Sequence, residues 1–156
     1  MCDLFLDESV ILLDIEGDTK EEVLEIMADH LFRKGFVKES FVPAVIQRES
    51  EFATGLPTAG VSVAIPHTDR EHVNGKSMSI AVLKKPVDFG VMGDDHQTVP
   101  VKIVFMLAMD EADSQLTLLK KLTQIFQKKE ILEKIAHAGN KTTIKKMIQK
   151  ELGLIP

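Results

Sequence analysis

Residues 99–108 read VPVKIVFMLA, and only Lys102 among them is charged. Such a run cannot lie open on a surface. It is short and rich in valine and isoleucine, so it reads as a strand covered on both faces. It falls well below the roughly 18 apolar residues that a membrane span needs, and no run elsewhere in the chain reaches that length. The rest of the chain must therefore supply neighbouring strands and covering helices.

The flanking sequence has the pattern for both. Residues 10–15 (VILLDI) lean towards a strand and end at a Gly17-Asp18 turn. Asp18 or Thr19 can cap a helix, with Glu21 and Glu22 in its first turn. Val23, Ile26, Met27 and Leu31 recur at helical spacing, and Gly35 ends the helix. Ser40 can cap a second helix carrying Val42, Val45 and Ile46 on its apolar face. Pro43 is tolerated there because it lies in the first turn. The glycines and proline of residues 54–60 predict a loop. Strands are expected at 61–65, 77–84 and 99–108, with a turn-rich acidic loop over 90–96. Leu116, Leu119, Leu122, Ile125 and Phe126 predict an amphipathic helix after Asp113. Shorter helices over 130–137 and 142–151 follow, separated by Gly139-Asn140. Strands mixed with helices imply a two- or three-layer α/β domain, and 156 residues fit one.

Composition excludes several functions. The net charge is −5, so no strongly basic nucleic-acid footprint exists, and there is no tryptophan or tyrosine for a stacking platform. Cys2 is the only cysteine, so neither an intrachain disulfide nor a cysteine-rich zinc site can form. The first residues carry acids and no basic region, unlike a secretory signal. A cytoplasmic protein is expected.

"VAIPHTD" (63–69) is the stretch with the strongest chemical potential. Pro66 stops a strand and His67 follows, and strand ends are where ligand sites lie in open α/β sheets. An imidazole can take up and release a phosphoryl group near neutral pH. Arg48 could hold the phosphoryl oxygens with a charged fork, and backbone amides around Thr54-Gly55 could add donors if they turn inward. Periodicity alone leaves open a surface-turn histidine and a solvated arginine. Metal ligation by His67, Asp69 and His72, or by Asp94, Asp95 and His96, is a weaker alternative because no convincing further ligand appears. His30 reads as a partly buried spacer and His137 as a helix-end residue. Gly55 and Gly60 have the glycine spacing of a phosphate loop, but Val61-Ser62 follows where Lys-Ser/Thr is required, so no nucleotide site is expected.

The stretch "QRESEFATGLPTAGVSVAIPHTD" (47–69), followed by "QLTLLKKLTQIF" (115–126), resembles enzyme IIA of the fructose–mannitol class in the bacterial phosphoenolpyruvate-dependent sugar phosphotransferase system. The shared features are an Arg-Glu pair, a Thr-Gly, an apolar strand ending in Pro-His, and a downstream amphipathic helix. The resemblance spans roughly residues 5 to 152. It implies a single domain, residues 1–156, with a mixed central β-sheet of about five strands flanked by helices. It also implies a phosphotransferase with a phosphohistidine intermediate and neither cofactor nor metal. His67 would accept a phosphoryl group from the carrier protein HPr and pass it to a cysteine of enzyme IIB, and the membrane enzyme IIC would import the sugar. Arg48 matches the family's phosphoryl-stabilising arginine, with Glu49, Thr54 and Gly55 as supporting residues. Cys2 is a poor phosphocysteine, so the acceptor cysteine would be on another chain. Gln115 occupies the place of the family's second histidine. Its amide can donate a hydrogen bond but cannot shuttle a proton. The Arg-Glu-x-Glu-Phe-x-Thr-Gly run (48–55), the Asp94-Asp95 pair and Gln-Leu-x-Leu-Leu (115–119) are most similar to galactitol-type enzyme IIA. A fructose- or mannitol-type or nitrogen-regulatory enzyme IIA is the alternative. Leu56, Phe89, Val91 and Met92 are candidates for an apolar docking rim.

Overall fold

In the computed structural model, which describes residues 4–154, the apolar run lies at the centre. It forms the second half of β5 (Asp94–Ala108), which pairs antiparallel with β4 (Ser77–Val91) along nearly its whole length. Every residue from Ile103 to Ala108 is buried. On the outer side of β4 runs β1 (Ile11–Ile15), in parallel. Parallel to β5 runs the short β3 (Ser62–Ala64), and antiparallel to β3 lies the two-residue β2 (Gly55–Leu56), which also meets β4 at Val91. The result is the expected mixed sheet of five strands.

Five helices cover it. The first, α1 (Lys20–Arg33), starts at a Thr19 cap whose hydroxyl accepts from the Glu22 amide. It packs on α2 (Phe41–Glu51) and on β4. A second group contains α3 (Ala112–Phe126), α4 (Lys129–His137) and α5 (Lys141–Leu152), with α5 against β1. Asn140 caps α5 through its side chain, and Gly153 closes it in the left-handed conformation.

Several expectations are corrected. Residues 90–96 are not a loop. The β4–β5 ladder continues to a tight turn at Met92-Gly93, where Gly93 takes the positive φ (80°) that such a turn needs. Residues 54–60 are not wholly loop, because β2 lies within them. Ser40 stands at the start of α2 but makes no capping bond, since its hydroxyl pairs with His72 Nδ1 at 2.8 Å. Phe89 is fully buried and belongs to the core, not to a rim, whereas Leu56 and Val91 are half-buried and Met92 is exposed. Leu116 and Ile26 face solvent instead of their helices' apolar sides. Cys2 lies outside the described residues.

Two backbone details shape the sheet. Leu12 pairs with Ala81 and Ile15 with Leu83, so β1 carries one extra residue, a bulge that contains Asp14 at φ 55°. The contact of β2 with β4 is very close. A Cβ on Gly55 would sit 2.5 Å from the Gly90 carbonyl oxygen and 3.0 Å from a Val99 methyl. Gly55→Ala is therefore expected to lower stability by about 1–3 kcal/mol, which urea unfolding monitored by circular dichroism checks.

Candidate functional site

The path of the chain from α2 to β3 brings the predicted residues together. Glu49, on the last turn of α2, points inward and is only 2% exposed. Its two carboxyl oxygens accept from the Thr54 amide at 2.7 Å and from the Thr54 hydroxyl at 2.8 Å. The same hydroxyl oxygen accepts from the Ile65 amide at 3.2 Å. The Ile65 carbonyl in turn accepts from His67 Nδ1 at 2.8 Å. Hydrogen bonds thus tie a buried carboxyl through Thr54 to the Ile65 amide, and the carbonyl of the same residue holds the imidazole.

Pro66 fits this path because it has no N–H to place. Its buried carbonyl accepts from the Leu107 amide at 3.0 Å, which ties the strand end to β5. His67 then emerges half-buried at the end of β3. A carbonyl can only accept, so Nδ1 carries the proton of the neutral ring and Nε2 keeps its lone pair. Burial holds the imidazole below its ordinary pKa, with the Ile65 carbonyl opposing, the Arg48 charge assisting, and Asp69 opposing. Neutral imidazole is thereby favoured, the form with a nucleophilic nitrogen.

Arg48 is half-buried on α2, and its charge reaches His67. Its guanidinium lies over the ring of Phe52, 4.9 Å from the centroid. In the sequence Phe52 is named only as part of the run 48–55 and is given no role, although the Arg48/Phe52 spacing of four is itself a signal for such a stack. Thr54 and Gly55 do not form an inward-facing donor loop. The Thr54 amide is committed to Glu49, and Gly55 is buried in β2. Gln115 lines a cleft of about 490 Å³ together with Asp69, Arg70, Glu71, Met109, Glu111 and Ala112, and neither His67 nor Arg48 is among the residues that line it.

The other histidines are elsewhere. His72 pairs with Ser40, and His30 donates through Nε2 to the Ser9 carbonyl at 2.6 Å. His137 donates through Nδ1 to the Glu133 carbonyl on its own helix. The backbone amide of His96 donates to Asp94 in the exposed end of β5. Among the described residues no three metal-ligating side chains cluster closely enough to hold an ion. No helix among them is long and apolar enough to cross a membrane.

The fold is shared with solved IIA structures. Enzyme IIAMTL of Escherichia coli, solved in complex with phosphorylated enzyme IIBMTL, matches with a TM-score of 0.73 and 21% identity, over 96% of this chain and 98% of that one. The fold is thus that of the α/β phosphotransferase-system IIA domains. The family described as "Phosphoenolpyruvate-dependent sugar phosphotransferase system, EIIA 2" matches residues 4–151, and the chain belongs to it. The galactitol-specific EIIA component of Escherichia coli K12 is 29% identical over 133 residues, 85% of each chain. Transcriptional regulator ManR of Bacillus subtilis is 27% identical over 136 residues, and the chain spans only 19% of that protein's length.

Desolvation pushes the Glu49 carboxyl from 4.5 up to about 7, against the lowering effect of Thr54's two donors. Folding thus favours the protonated acid. The stability this contributes is complete below 4.5 and is lost as pH rises through about 7. Wild type is expected to lose stability relative to Glu49→Gln across that window. Urea unfolding at a series of pH values checks this, and a difference independent of pH would exclude a titrating Glu49.

Proposed function

We propose that this chain, as one module of residues 1–156, is a phosphoryl carrier of sugar uptake. His67 Nε2 attacks the phosphorus of phosphohistidine on HPr. The N–P bond of HPr breaks as the new N–P bond forms, and the HPr imidazole leaves neutral. The His67 ring becomes a phosphorylated cation whose proton stays on Nδ1, hydrogen-bonded to the Ile65 carbonyl, so no proton has to move. Transfer onward to a cysteine thiolate of enzyme IIB forms an S–P bond and returns the ring to its neutral form.

The observation that carries this reading is the bond between His67 Nδ1 and the Ile65 carbonyl, which leaves Nε2 as the reactive atom. Arg48 supplies charge for the phosphoryl oxygens, and Gln115, in the place of the family's second histidine, is assigned an amide-donor role on the strength of the resemblance alone. Glu49, Thr54 and Gly55 act from behind, by fixing the strand end. A cytoplasmic location and work alongside a membrane enzyme IIC follow from the same reading. Galactitol is the favoured substrate, supported by the similarity to the galactitol-specific component and by Gln115 in place of a second histidine. The similarity to ManR supports an alternative output, regulation through the same phosphohistidine.

With phosphoenolpyruvate, enzyme I and HPr, the wild-type protein is expected to take acid-labile label. His67→Ala should take none, and Arg48→Ala should be slowed on the order of 100-fold. Retained labelling of His67→Ala would falsify the assignment. A panel of enzyme IIB proteins identifies the sugar, and transfer to none of them favours the regulatory output. Because the His67 pKa is lowered, the labelling rate should hold as pH falls through 6.5 and decline only below it. A stopped-flow pH series reads this directly.

A further inference from the structure

Phe52 is the most exposed of the large apolar side chains near the site, at 59%, and takes no part in the hydrophobic core. It follows the last residue of α2, where its amide donates to the Arg48 carbonyl at 2.7 Å. Its backbone is therefore fixed relative to Arg48, one helical turn back. The ring face lies beneath the guanidinium of that same residue. Among the described residues Arg48 makes no close ion pair and no side-chain hydrogen bond; its charge acts on Glu49 and His67, and the ring is the contact that its guanidinium plane rests on.

An arginine that must grip a phosphoryl group faces a conflict. A carboxylate would orient it, but would occupy its N–H donors and offset its charge. An aromatic face orients the guanidinium plane through its π-cloud and leaves the donors at the plane's edge free. We propose that Phe52 is a positioning residue for phosphoryl transfer, holding the Arg48 guanidinium beside His67 with its donors unoccupied. This rests on the phosphoryl-carrier reading and adds to it a residue that acts only through Arg48.

The test measures phosphorylation of His67 by phospho-HPr in wild type, Phe52→Leu, Phe52→Tyr, Arg48→Ala and the Phe52→Leu/Arg48→Ala double variant. Phe52→Leu is expected to lower the rate at saturating donor about 2- to 5-fold, the scale of an exposed cation–π contact. Its KM should be little changed, and Phe52→Tyr should stay within about twofold of wild type. In the Arg48→Ala background, Phe52→Leu should have no further effect. The ring-current shift of the Arg48 Hε resonance should persist in Phe52→Tyr and vanish in Phe52→Leu, independently of any transfer. An equal loss with and without Arg48, or a loss confined to KM, overturns the proposal, because Phe52 would then act through folding or partner docking. So does an unchanged rate in Phe52→Leu. A wild-type protein that is never labelled at His67 overturns the carrier reading itself, whatever the resonance shows.

Discussion

The Thr54 hydroxyl is the joint on which the site depends. It donates to a buried carboxyl and accepts from the strand that ends in Pro66-His67. Neither neighbour could be left alone at that depth. Without it one oxygen of the buried Glu49 carboxyl would lack a donor, and the Ile65 amide would be a buried donor without an acceptor. One side chain resolves both, and in doing so links α2, which carries Arg48, to the segment just beyond β3, which carries His67. The two groups lie on different parts of the chain, and Thr54 joins them through hydrogen bonds.

The electrostatics follow from that geometry. A half-buried imidazole beside an arginine is kept neutral, and its carbonyl partner decides which nitrogen holds the proton. Arg48 is oriented by a ring and not by an acid. Glu49, the carboxyl next to Arg48 in the chain, turns away into the core to meet Thr54. The positive charge therefore remains available at the surface, while the negative group is withdrawn and partly protonated near neutral pH.

How much of this the sequence reveals depends on the length over which each feature acts. The apolar run 99–108 and the helical periodicities act over ten residues or more, and they are legible. The outer halves of β4 and β5 are not. Around Asp88 and Asp94–Thr98 most side chains are exposed or only half-buried, so no apolar alternation marks them, and glycines with aspartates look like a loop. The two-residue β2 is too short for any period; it exists because Gly55 and Gly90 let two backbones meet. At the site, the residue types around His67 are readable, but their division of labour is not. Thr54 reads as a donor for phosphate until the fold shows it bonded to Glu49. Leu116 sits at an apolar position of its helix, yet is 53% exposed.

The bulge in β1 bears on behaviour in a crowded solution. Among the described residues β1 is bonded on one side only, to β4, and an open strand edge is a template on which other chains can add. The extra residue there, with Asp14 turned into a left-handed conformation, breaks the regular spacing of donors and acceptors that an incoming strand would need to match. A charged side chain at the same point adds a desolvation penalty to any such pairing. The irregularity thus guards the open edge of the sheet against edge-to-edge aggregation.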